Sequence, residues 1–119
     1  MLIKNKKNST KITGNEGAII CDLLKPQHVK NAIRYSLVCV NLSRGKSTLP
    51  HIMKTSEVYY ILEGKGTLHI DNKSENVKVG DAIFVLLGSK QHIENISSKN
   101  LKFLCIVDPA WKKDDEIIL

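Results

Sequence analysis

The apolar residues of this chain recur mostly with a period of two, in short segments that no helix could use. Segments 18–24, 35–42, 58–62, 67–70, 82–87, 91–96 and 101–107 each carry this alternation or a compact β-branched run. Turn formers separate them: Ser43-Arg44-Gly45-Lys46, Gly64-Lys65-Gly66, Asp71-Asn72-Lys73 and Gly80-Asp81. Side chains alternate across a strand, so such segments half-bury themselves only in a sheet. Strands returning about every eight to twelve residues with glycine and asparagine turns predict an all-β sandwich or barrel. Helical expectation is confined to one turn near 26–32 and one in the tail.

A chain of 119 residues has room for one domain. Residues 1–15, rich in Lys, Asn, Ser and Thr, read as an N-terminal arm that is ordered only where it pairs with something. Residues 112–119 read as a C-terminal tail, with Trp111 as its anchor and Ile117-Ile118-Leu119 docking on the barrel or on a neighbouring subunit. The run Asp114-Asp115-Glu116 reads as a solvated last turn. An arm without its own core and an apolar terminus both need a surface, and exposed strand edges are a hazard that pairing removes. A homodimer is therefore expected.

The formal net charge of +6 suggests a polyanion partner, but the distribution of charge opposes one. Arg34 and Arg44 are the only arginines, and beyond the arm the lysines are scattered singly. Specific nucleic-acid recognition relies on guanidinium forks and stacked aromatics, so no specific nucleic-acid partner is expected. No apolar run reaches the ~20 residues that span a bilayer, and no apolar segment follows the first lysines as in a secretory signal. The expected setting is cytoplasmic, without membrane association. Cys21, Cys39 and Cys105 have no CxxC spacing and read as three reduced core thiols.

Two stretches carry chemistry. From Gly45, five residues lead to His51, one to Met53, three to Glu57 and six to Gly64. From Gly80, five residues lead to Leu86, one to Gly88, two to Gln91 and three to Asn95. These spacings resemble the two motifs of the cupin superfamily, with Met53 at the second histidine of the first motif. Leu86 stands where proline is usual in the second motif, and Gln91 where its histidine is usual. Segment 103–111 also resembles a subgroup of single-domain cupins. The resemblance covers residues 16–111 and implies a double-stranded β-helix, the jelly-roll barrel of small microbial cupins.

In that family the motif residues point into the barrel and hold a divalent metal. The corresponding set here is His51, Met53, Glu57 and Gln91, with Tyr59, Ile61 and Asn95 as further pocket residues. His51 and Met53 share a strand face by parity. Parity also turns His92 away from the pocket unless a bulge at Ser89-Lys90 shifts the strand by one residue. One imidazole and one carboxylate suit Zn, Mn, Fe or Ni, whereas a carboxamide is a weak donor and a thioether is soft. Any divalent metal is expected to be weakly held. A carboxylate buried beside Met53 needs a cation, and the candidates are a metal or protonated His51. His69 can face solvent or the pocket, solvent being the preferred reading, and His28 is expected to be exposed.

The resemblance implies three functions. The first is a small-molecule-binding cupin with a degenerate or weak metal site. The second is a metal-dependent enzyme acting on a sugar, in the manner of phosphate isomerases or epimerases, or on a small organic acid. The third is a ligand-sensing partner of a regulator, since the chain has no helix-turn-helix segment of its own.

Overall fold

The computed structural model describes residues 1–15 and 17–119. Among these described residues eleven strands run in chain order: β1 (Lys11–Thr13), β2 (Ile19–Leu24), β3 (Ser36–Leu42), β4 (His51–Met53), β5 (Ser56–Glu63), β6 (Lys65–Ile70), β7 (Lys73–Lys78), β8 (Ala82–Val85), β9 (Lys90–Asn95), β10 (Leu101–Asp108) and β11 (Glu116–Ile118). They form two antiparallel sheets, ordered β1-β2-β3-β10-β5-β8 and β11-β4-β9-β6-β7. The fold is the expected all-β jelly-roll barrel. The turn near 26–32 is a single 3-10 turn, Pro26–Val29, and the tail holds another, Lys113–Asp115.

The alternation seen in the sequence becomes the wall of the barrel. Val38, Val40 and Leu42 on β3, Tyr59 and Ile61 on β5, and Phe103, Cys105 and Val107 on β10 all face inward and are buried. Leu68 on β6 and Ile93 on β9 face them from the second sheet. Register fixes the depth at which each side chain enters. Glu57 pairs with Val107 across β5 and β10, and His51 pairs with Gln91 across β4 and β9. The β5–β6 hairpin turns on Gly64, whose φ is +85° and whose missing Cβ would lie 2.7 Å from the Asn100 carbonyl oxygen. Only glycine fits both conditions.

The arm and the tail are edge strands of the two sheets. β1 pairs with β2, Lys11 opposite Cys21, and the Cys21 sulfur reaches the Lys6 carbonyl at 3.8 Å. β11 pairs with β4, Glu116 opposite Met53 and Ile118 opposite His51. The tail thus pairs with the barrel's own β4, while Ile117, Ile118 and Leu119 stay exposed at 45%, 38% and 59%. Trp111 packs against the core, as an anchor should, and its backbone N–H donates to Ser36 Oγ at 3.3 Å. Cys21 and Cys105 are buried, Cys39 is half-buried, and all three are unbridged. Cys21 and Cys39 oppose each other across β2 and β3, in alternation with the inward Ile20, Val38 and Val40. Both therefore face away from the barrel interior, Cys21 buried beside Lys6 and Cys39 half-buried, a placement that apolar neighbours in sequence do not reveal. No helix among the described residues is long and apolar enough to cross a membrane.

Candidate functional site

Between the sheets lies a cavity of about 60 Å³. Its polar lining brings together residues far apart in the chain: His51 from β4, Glu57 and Tyr59 from β5, Gln91 from β9 and Cys105 from β10. Met53, Phe103 and Val107 supply apolar wall. His51, Met53, Glu57 and Gln91 are all buried, at 6%, 4%, 7% and 2% exposure, so parity brought the four expected positions to one interior.

Their hydrogen bonds are directed at one another. The Gln91 side-chain N–H donates to Glu57 Oε1 at 2.7 Å. The Tyr59 hydroxyl donates to Gln91 Oε1. The Cys105 thiol donates to Glu57 Oε2 at 3.1 Å. Gln91 thus links Tyr59 to Glu57, with its amide oxygen and nitrogen both engaged. His51 Nδ1 sits 2.7 Å from the Leu49 carbonyl oxygen. A carbonyl only accepts, so Nδ1 carries a proton, and Nε2 is the nitrogen that offers a lone pair when the ring is neutral.

This arrangement does not fit the metal centre that the motif spacing implies. Both Glu57 oxygens already accept hydrogen bonds, and the Gln91 oxygen accepts from Tyr59. Met53 offers only a thioether, a poor partner for hard or borderline cations among oxygen donors. His51 Nε2 remains as one good ligand atom, whereas firm zinc sites present at least three. Burial pushes the Glu57 carboxyl above the usual carboxylate range, against the opposing pull of Cys105, Gln91 and His51.

Two expected pocket residues stand elsewhere. Ile61 faces inward but has 0% exposure and packs in the core beside Phe103, its register partner. Asn95 is buried at the end of β9, where its amide donates to the Leu42 and Lys99 carbonyls and accepts from Ser97. The cavity lining reaches Tyr59 and Ile93, two residues short of Ile61 and Asn95, which at about 3.3 Å per residue is roughly 7 Å along each strand. Parity was right for both, and depth excluded them.

Glu116 is among the cavity residues that sequence reasoning missed. Its place in an acidic run suggests a solvated turn, yet it lines the cavity with Ile12, Asp22 and Trp111. Its Oε2 accepts from Trp111 Nε1 at 3.4 Å and from Asn15 Nδ2 at 3.3 Å. Its Oε1 is buried with no hydrogen-bond partner among the described residues. Three residues, Glu116-Ile117-Ile118, are too few for a period of two to mark the strand in sequence. His28, expected to be exposed, is half-buried in the 3-10 turn after β2.

No bulge interrupts the pairing of β9, and His92 follows parity. It borders the cavity wall, but its ring stacks on His69 with centroids 4.2 Å apart and planes 4° from parallel. His69, His92 and Glu94 alternate with the inward Leu68, Gln91 and Ile93, so they gather on the other face of the β6–β9 pair. Their ligand atoms lie within 4.8 Å of one another. The register that places His69 opposite His92 was not legible before the hairpins were known.

Comparison with known proteins agrees with this architecture. Residues 38–107 match the cupin domain model. An uncharacterised protein of Methanocaldococcus jannaschii is 39% identical over 105 residues, covering 87% of this chain and 83% of that protein. An oxalate-binding protein of Thermotoga maritima is 39% identical over 51 residues, covering 43% of this chain and 42% of that protein. Among solved structures, a predicted oxalate decarboxylase from Thermotoga maritima superposes with a TM-score of 0.77 at 25% identity, covering 99% of this chain and 100% of that one.

Proposed function

Because this chain belongs to the cupin family, whose members commonly bind divalent metals, we propose that its barrel has become a small-molecule-binding pocket organised by hydrogen bonds. The observation that carries the reading is Gln91, which occupies a metal-ligand position and spends both ends of its amide on Tyr59 and Glu57.

The cavity narrows the choice of ligand. At about 60 Å³ it is far smaller than the ~300–1,000 Å³ of pockets for drug-sized molecules, so it suits a ligand of a few heavy atoms. Asp22, Glu57 and Glu116 line it, and its described lining contains no lysine or arginine. An anion would enter against acidic side chains with no lysine or arginine to meet it. A neutral or cationic molecule rich in N–H donors would instead find the unpartnered Glu116 oxygen and the lone pair of His51. Three unbridged thiols suit the reducing cytoplasm as its setting.

A second reading, a metal-dependent enzyme acting on a small organic acid, is favoured by the 39% identity to the oxalate-binding protein. On that reading His51 and Glu57 would hold the metal. The two readings differ in the sign of the ligand's charge. Oxalate and oxamide share size and shape, but oxamide is neutral and carries N–H donors. Titration followed by amide NMR is expected to show oxamide, not oxalate, perturbing Glu57, Gln91 and Glu116. Oxalate binding in the presence of EDTA would overturn the charge argument, and oxalate binding that requires added Mn²⁺ would establish the second reading.

A homodimer accompanies this proposal. Phe84, Val58 and Ile106 form a row across β8, β5 and β10, with exposures of 63%, 37% and 41%. Tyr60 and Leu62 extend the patch along β5. A contiguous apolar sheet face of this kind is usually covered, and a second copy covers it by two-fold symmetry. Light scattering is expected to give a dimer at micromolar concentration. Phe84→Lys with Ile106→Lys should give a folded monomer by the same measurement with circular dichroism. A monomeric native protein would end this proposal.

A further inference from the structure

We propose a second site, separate from the barrel pocket: His69, His92 and Glu94 bind a divalent transition metal on the other face of the β6–β9 pair. Three residues of good ligand type converge there from two strands whose register is fixed by the ladder His69↔His92. Directly paired residues have Cβ atoms about 4.5–5.5 Å apart, which lets two imidazoles reach one ion. Glu94 follows His92 by two residues and so shares its face.

The local hydrogen bonds already orient these ligands. His69 Nε2 is 2.7 Å from Glu94 Oε1, and the Ser74 hydroxyl is 2.8 Å from His69 Nδ1. When neutral, His69 donates Nε2–H to the carboxylate and accepts from Ser74. Metal binding needs the Nε2 lone pair, so the ring proton moves to Nδ1 and donates to Ser74 Oγ. No proton is lost from the ring in that exchange. A ligand imidazole held through its other nitrogen by a neighbouring polar group is the usual support for a bound metal.

The ligand atoms span up to 4.8 Å, wider than a tetrahedral ion allows. All three side chains are only half-buried, so small rotations close the gap. Opening the stack between His69 and His92 is the required movement. Two imidazoles and one carboxylate suit Zn²⁺, Ni²⁺ and Cu²⁺, with water completing the shell. Lys90, on the same face, works against a cation and keeps the expected affinity at the micromolar level.

The test is calorimetric titration with Zn²⁺ alone, using native protein, His51→Gln, His92→Gln and Glu94→Gln. Long-range ¹H–¹⁵N spectra of the histidine rings are recorded in parallel. One site with micromolar affinity is expected in native protein and in His51→Gln. His92→Gln and Glu94→Gln should each weaken it by at least about tenfold, or 1.4 kcal/mol. The ring signals of His69 and His92 should move together on adding Zn²⁺, and His51 should remain still. Circular dichroism in EDTA checks that the variants are folded. Binding abolished by His51→Gln, binding unchanged in His92→Gln, or no binding in native protein would each overturn the proposal.

Discussion

Met53→His is expected to raise the affinity of the barrel interior for Zn²⁺, and adding Gln91→His is expected to raise it again. Both positions are buried on the cavity wall beside His51 and Glu57, so each new imidazole enters the same small volume. The second substitution has a further effect. It removes the amide that donates to Glu57 Oε1 and accepts from Tyr59, freeing a carboxylate oxygen for the metal. Structural zinc sites with four good donors are worth about 10–16 kcal/mol, or about 3 kcal/mol per donor, so each step should gain roughly a hundredfold. Titrations belong in a His92→Ala background, which dismantles the outer cluster and leaves only barrel binding to be read. No gain from either substitution would mean that these side chains do not converge.

The second large effect concerns Glu57 and pH. Burial holds its carboxyl above the usual range when the protein is folded. The folded state therefore binds this proton more tightly than the unfolded state does. Stability from this group is full below the ordinary glutamate value of about 4.3 and is lost as pH rises through the raised folded value. Keeping Glu57 buried is thus a cost that grows as pH rises above the ordinary glutamate value. Glu57→Gln removes the cost while keeping an oxygen to accept from Gln91 Nε2. The variant should melt higher than native protein at pH 7–8, by about 4–8 °C per kcal/mol released, and the advantage should shrink steadily toward pH 4. Parallel pH profiles for the two proteins would show that Glu57 is neutralised by a bound cation.

Much of this was legible before any coordinates. The period of two assigned the strands. The spacing His51-x-Met53 put two side chains on one face, and Gln91 came to meet them because β4 and β9 pair. What sequence parity could not supply was depth. Ile61 and Asn95 face inward as expected but lie beyond the cavity, because their distance from it depends on strand length along the barrel. Pairing was equally invisible where strands are short and polar. β1 and β11 have three residues each, too few for alternation to stand out. As a result Ile12 and Glu116 were left out of the pocket that they line. The His69–His92–Glu94 cluster needs the register of β6 against β9, and neither strand states it alone. Charge was misread for a related reason: Glu116 sits in an acidic run, yet strand pairing with β4 turns it inward, away from its neighbours.

The central claim, that hydrogen bonding has replaced metal binding inside the barrel, is tested most directly by metal content. The protein to measure is His69→Ala/His92→Ala, purified without chelator, so that any tightly held ion must be in the barrel. Elemental analysis after dialysis should find well under one equivalent of Mn, Fe, Ni and Zn together. EDTA should then leave the melting temperature nearly unchanged, since a weak or empty site shifts stability little. A full equivalent of one metal surviving dialysis, with a marked fall in melting temperature on adding EDTA, would contradict the account.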